Sequence, residues 1–116
     1  MSRGTRWWCT VLVMGLSSCT IGDEVDYIEK RAAAECGRME RCYLGEFQSQ
    51  FSGADECERL VGNALEDDQE LLEEQDCDYD PREAQRCVER VRSMSCSDWI
   101  ERGTGNACDL VFRCDT

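Results

Sequence analysis

Apolar residues recur along most of this chain at steps of three or four, the period of helices that bury one face. Val25, Ile28, Ala32, Cys36, Met39 and Tyr43 form one such stripe and predict a helix from about Glu24 to Cys42. Gly45 and the polar run Gln48-Ser49-Gln50 interrupt it, and Ser52 followed by Asp55 reads as a capped helix start. A second helix follows with the face Cys57, Leu60, Val61, Ala64, Leu65, Asp68, Leu71 and Leu72, ending near Gln75. The third has the clearest punctuation, with Asp80 as N-cap, Pro81 at the first helical position and Glu83 at the third. Its buried side is Ala84, Cys87, Val88, Val91 and Met94. Ser95 to Asp98 closes it, and Trp99 to Arg102 forms a short further turn before Gly103 and Gly105. The tail supports two readings: Ala107, Leu110, Val111 and Cys114 lie on a helix face, while Cys108, Leu110, Phe112 and Cys114 alternate as in a strand. With no partner strand in view, helix is the expectation.

The first residues follow a different pattern. Arg3 and Arg6 precede the apolar run Trp7 to Leu16, which is far shorter than the roughly 20 residues needed to span a bilayer. A basic start, a short apolar stretch and small residues are the three parts of a secretory signal. The string Leu16-Ser17-Ser18-Cys19 at its end resembles the cleavage site of bacterial lipoprotein signals. That resemblance implies a signal at residues 1–18, lipid on Cys19, a tether over 19–23 and a folded cysteine-rich domain over 24–116. A diacylglycerol plus an amide-linked chain supplies more than one hydrocarbon anchor, at about 0.8 kcal/mol per buried methylene. Thr20, where an Asp would favour inner-membrane retention, leans the expectation toward the outer membrane; cleavage without lipid, giving a secreted effector, is the alternative.

Of ten Cys, Cys9 leaves with the signal and Cys19 carries the lipid. Cys36, Cys42, Cys57, Cys77, Cys87, Cys96, Cys108 and Cys114 remain, and in an exported chain they read as up to four disulfides. The fold expectation is therefore all-α: a small disulfide-stapled bundle of three main helices plus a short C-terminal segment. If the first two helices run antiparallel about a loop near Gln48, Cys42 and Cys57 fall side by side, which makes them the best single pair. Cys96 would return to the start of the second helix or to Cys36. Cross-links matter because the 98 residues from Cys19 onward offer little apolar surface for a core.

Composition narrows the chemistry. The chain has no His, which removes Ser-His-Asp and Cys-His catalysis and imidazole metal ligands. No two Cys are separated by only two residues, so neither a zinc cluster nor a thiol redox motif is present. Asp76, Asp78 and Asp80 alternate as in calcium loops, but Pro81 and Cys87 stand where an EF-hand needs Gly and Glu. The expectation is thus a non-catalytic protein with no cofactor and no metal. A hydrolase or redox accessory using carboxylates or an exposed disulfide is the competing idea.

Charge is the last strong signal. From Cys19 onward 11 basic residues face 25 acidic ones, a net charge of −14. That excludes a nucleic-acid binder, whose phosphate contacts need Lys and Arg. Acid crowds the second helix at Glu66, Asp67, Asp68, Glu70, Glu73, Glu74 and Asp76. Besides the membrane, a basic protein is the partner such a surface fits.

Taken in order, Cys36 to Cys42, Asp55-Glu56-Cys57, Cys77-Asp78-Tyr79-Asp80, Ala84 to Cys87, Ser95-Cys96-Ser97-Asp98 and Ala107-Cys108 to Cys114 carry a family resemblance. The chain resembles the small cysteine-rich lipoproteins numerous in myxobacteria and their relatives, and the likeness covers nearly all of the mature region. Twelve Arg against the single Lys30 fit a high-GC genome of that kind. The resemblance implies the envelope location and implies no activity.

Overall fold

The computed structural model describes residues 21–114. Their elements are α1 (Glu24–Cys42), α2 (Leu44–Gln50), α3 (Ala54–Glu74), β1 (Cys77–Tyr79), α4 (Pro81–Ser93), α5 (Cys96–Arg102) and β2 (Phe112–Cys114). The fold is a small, mostly helical bundle stapled by four disulfides, with one short two-stranded ribbon. The expected signal and Cys19 lie outside the described residues. Ile21, within the expected tether, is already buried, and its N–H donates to Gln85 Oε1 at 3.0 Å.

Helix α1 is the central element, packed on one side by α3 and on the other by α4. Asp23 caps it, Oδ1 accepting from Asp26 N at 2.9 Å, and Glu24, Asp26 and Arg41 complement its dipole. Serving two neighbours, α1 buries a wider arc than one stripe: Ile28, Ala32 and Cys36, and also Tyr27 and Ala34. Val25, expected in the core, is 62% exposed. Tyr27 and Ile28 join Ala84, Cys87, Val88 and Val91 of α4 and Val111 of the tail in the main core.

Helix α3 ends where its pattern predicts, but it lies mainly on α1, so its buried stripe is narrow. Cys57 is fully buried, Val61, Leu65, Gln69 and Leu72 partly so, while Leu60, Ala64, Asp68 and Leu71 face solvent. Its N-cap position is Gly53, without a side-chain cap, and Glu56 Oε1 reaches back to accept from Ser52 N at 2.7 Å. The expected break at Gly45 to Gln50 is instead helix α2. Phe47 explains it: its buried ring lies tilted, 5.2 Å from that of Phe51, and packs with Met39 and Val61 around Cys36 and Cys57. That burial offsets the roughly 1 kcal/mol cost of a glycine inside a helix.

Helix α4 matches its punctuation. Asp80 Oδ1 accepts from the N–H groups of Arg82 and Glu83, Pro81 occupies the first turn, and Ala84, Cys87, Val88 and Val91 are buried. Ser95 then caps α5, accepting from Asp98 N at 3.1 Å. Gly103 and Gly105 adopt φ of 59° and 54°, left-handed values that stop α5 and turn the chain back.

The tail corrects the helical expectation. Phe112–Cys114 pairs antiparallel with Cys77–Tyr79, in the register Cys77 with Cys114, Asp78 with Arg113 and Tyr79 with Phe112. The alternating pattern was the informative one, and its partner strand is a three-residue segment hidden between two helices.

The disulfides are Cys36–Cys57, Cys42–Cys96, Cys77–Cys114 and Cys87–Cys108. The expected Cys42–Cys57 pair does not form. Six residues at 3.6 per turn place Cys36 and Cys42 about 120° apart around α1. Cys36 therefore faces α3, and Cys42 faces α5. The intervening α2 also lengthens the turn that was to bring Cys42 beside Cys57.

Candidate functional site

Among the described residues, four aromatic rings gather at the C-terminal end of α1. Met39 of α1, Tyr43 at the junction of α1 and α2, Phe47 of α2 with Phe51 just after it, and Trp99 and Ile100 of α5 line an open groove of about 480 Å3. Three observations explain its shape. Cys36–Cys57 ties α1 to α3 and fixes the base on which Phe47 packs. Cys42–Cys96 ties α5 to the end of α1. Arg38 Nη1 donates to Met94 O at 2.6 Å, which holds the chain entering α5. Helix α5 buries none of its seven residues fully, so its place depends on these links and on Trp99, which packs partly against the main core.

The groove's lining includes one carboxylate, Glu46, and no Lys or Arg. Ile100, in the lining, is 52% exposed, and Leu44, next to Tyr43 in the chain, is 50% exposed. A surface of this kind can hold apolar side chains of another molecule. Helix α1 spans 19 residues, so at 1.5 Å per residue the groove stands about 28 Å from the end where Ile21 and Asp23 enter the fold.

A second cluster lies midway along α1. Arg31 Nε donates to Glu35 Oε2 at 2.6 Å and Nη1 to Tyr27 OH at 2.7 Å, while that hydroxyl lies 3.7 Å from Cys87 Sγ. Tyr27, Tyr79 and Phe112 pack ring to ring at 5.5 to 6.5 Å. Burial pushes the Tyr27 phenol up, against the pull of Arg31. Burial of Arg31 disfavours its charge, but Tyr27 and Glu35 outweigh that and raise it further. Burial, then Tyr27 and the acids Asp23, Asp26 and Glu24, push the Tyr79 phenol well above its ordinary range. Both phenols thus stay protonated at neutral pH; Tyr27 OH accepts from Arg31, Tyr79 OH donates to Asp23 O, and the cluster joins α1, α4 and the ribbon.

The cysteines predicted to cross-link, Cys36, Cys42, Cys57, Cys77, Cys87, Cys96, Cys108 and Cys114, are all in bridges. Asp80 is the helix cap its sequence predicts and also meets Arg113 at 3.3 Å; Asp76 sits at φ 60° in a turn, and Asp78 pairs across the ribbon. Among the described residues no three His, Cys, Asp or Glu side chains gather as metal ligands, and no helix is long and apolar enough to cross a membrane. Sequence reasoning missed the groove because its wall comes from three separate elements. The only advance signal was the density of aromatics at Tyr43, Phe47 and Phe51, with Trp99 further on.

No family model, curated protein or solved structure matches the chain.

Proposed function

We propose that the protein is a non-catalytic, lipid-anchored binding module of the bacterial cell envelope, allied to the small cysteine-rich lipoproteins it resembles. Lipid on Cys19 holds it to the membrane, with the outer membrane favoured by Thr20. Its α1 then acts as a spacer, carrying the aromatic groove about 28 Å from the tethered end. The observation that carries this reading is the groove itself: six apolar and aromatic side chains, cross-linked into place, around a rim without a cation.

The occupant that fits is a basic protein segment with apolar anchors. Net charge steers such a segment toward the acidic chain, and Met39, Phe47 and Trp99 offer it apolar contact. The test uses the oxidised chain starting at Cys19, in which Trp99 is the only tryptophan. It is titrated with an amphipathic helical peptide of Lys and Leu, and with a Glu and Leu counterpart. Saturable blue-shifted Trp99 emission with the Lys peptide alone, weakened by salt and by Ile100→Glu, supports the reading. Equal response to both peptides, or none to either, contradicts it.

A further inference from the structure

Charge is unevenly divided between the two helices that flank α1. Helix α3 carries nine acids against the single Arg59, whereas α4 carries Arg82, Arg86, Arg90 and Arg92 against Glu83 and Glu89. All four arginines are exposed, and Arg82, Arg86 and Arg90 follow one another at steps of four along the side away from the buried Ala84, Val88 and Val91. Both acids of α4 are engaged: Glu83 meets Arg86 at 3.0 Å, and Glu89 accepts from Gln85 Nε2 at 2.7 Å.

The chain enters the fold on this same helix. Ile21 belongs to the core cluster of Val88 and Val91, and its N–H donates to Gln85 Oε1 at 3.0 Å. Gln85 stands three positions after Arg82, which makes the two neighbours on the helix surface. Only Thr20 separates Ile21 from Cys19, so an anchor on Cys19 reaches at most about 7 Å from that point. Reaching the outer side of α3 would take two helix spacings, about 18 Å. A bilayer holding Cys19 therefore meets either the α4 side or the adjoining end of the bundle. That end is acidic, with Asp23 and Glu24 at the start of α1, Glu73 beside Glu24 through Gln69, and Asp78 next to Tyr79, whose hydroxyl donates to Asp23 O at 3.3 Å.

We propose that α4 is a lipid-facing surface: with the chain anchored at Cys19, Arg82, Arg86 and Arg90 lie on anionic headgroups and the acidic α3 points away from them. This orientation rests on the lipid-anchor reading. Charge selects the α4 side over the end, because headgroup phosphates attract the arginines and repel the carboxylates within a Debye length, about 10 Å at 0.1 M salt. The anchor supplies the local concentration that a chain of net charge −14 does not reach alone on an anionic surface. Helix α1 runs alongside α4, from Tyr27 beside Cys87 to Arg38 beside Met94, so it lies along the bilayer and spaces the groove sideways from the anchor.

The test couples the oxidised chain from Cys19, in which that residue is the one thiol outside the bridges, to maleimide-bearing lipid in vesicles. This sets the anchor whether or not the cell acylates Cys19. Arginine modification by a neutral dicarbonyl reagent is then followed by peptide mass. Arg86 and Arg59 are alike in exposure, 68% and 62%, and each pairs with a Glu three positions before it, so one is the reporter and the other the control. Expected on vesicles containing phosphatidylglycerol, against phosphatidylcholine alone, is severalfold slower modification of Arg86 with Arg59 unchanged, reversed by high salt. Arg82→Gln/Arg90→Gln changes only exposed side chains and should remove the protection of Arg86. Equal Arg86 rates on the two vesicles, equal slowing of Arg59, or protection that survives salt or the double variant overturns the lipid-facing role of α4; a lack of acyl mass on Cys19 in the cell overturns the anchor instead.

Discussion

Removing the Cys42–Cys96 bridge, as Cys42→Ser/Cys96→Ser, tests how the groove is held. The bridge closes 54 residues of chain, and releasing a loop of that length returns unfolded-state entropy worth about 4 kcal/mol. That is a large share of the 5 to 15 kcal/mol typical of whole domains. The local effect is more specific. Helix α5 buries no residue fully, and without the bridge it keeps only the Arg38 contact to Met94 O and the partial packing of Trp99. The folded double variant should let α5 swing out and open the groove. In the chain from Cys19, Trp99 emission reports this directly, since Trp7 and Trp8 are gone. Expected are red-shifted Trp99 emission in buffer, far-ultraviolet dichroism close to the parent, and unfolding free energy lower by about 4 kcal/mol in urea. Cys77→Ser/Cys114→Ser is the control. Its 37-residue loop has a similar chain-entropy value, also about 4 kcal/mol, but lies at the ribbon, so it lowers stability without moving Trp99 emission. Unshifted emission and unchanged stability in Cys42→Ser/Cys96→Ser would refute the argument, and so would an equal red shift in both double variants.

Tyr27→Phe removes the hydroxyl that accepts from Arg31 Nη1 inside the core, and a hydrogen bond to a charged group predicts a loss of about 1.5–3 kcal/mol in denaturant unfolding. Asp80→Ala deletes the cap of α4 and the Arg113 contact; about 1 kcal/mol should go, with faster exchange at Arg82 and Glu83 N–H as the local sign. Phe47→Ala empties the ring that packs on Cys36–Cys57, for a loss of about 3–5 kcal/mol by thermal or urea unfolding and of peptide response at Trp99. Ile100→Glu, half-exposed at the groove edge, should change stability little, so loss of peptide response in that variant reports the surface rather than the fold.

The helices were legible where local chemistry decides them. Asp80, Pro81 and Glu83 mark the start of α4 because a cap, a proline and an acid act within a few residues of one another. The span of α1 followed from its apolar period, yet its exposed Val25 and its second buried arc through Tyr27 and Ala34 did not, because they depend on which helices lie beside it. Helix α2 was hidden by Gly45 and its polar neighbours, since the burial of Phe47 that holds it is tertiary. Strands of three residues, such as Cys77–Tyr79 and Phe112–Cys114, carry too little period to be seen, and their pairing joins segments more than 30 residues apart. Cysteine number was readable while partners were not: Cys42 turns toward α5 through the angular offset from Cys36, and nothing local to Cys96 says so. The groove was the least legible feature, because apolar and aromatic residues from α1, α2 and α5 become a surface only after the bridges set those helices side by side.

Export with lipid on Cys19 and full cross-linking is the claim on which the placement of the groove rests, and intact-mass spectrometry of the protein from the membrane fraction tests it most directly. The account predicts a chain beginning at Cys19 that carries acyl mass and gains, on reduction, a pair of hydrogens for each of four bridges. A full-length product in the cytoplasm with reduced thiols, or a mature chain without acyl mass free in the medium, would contradict it.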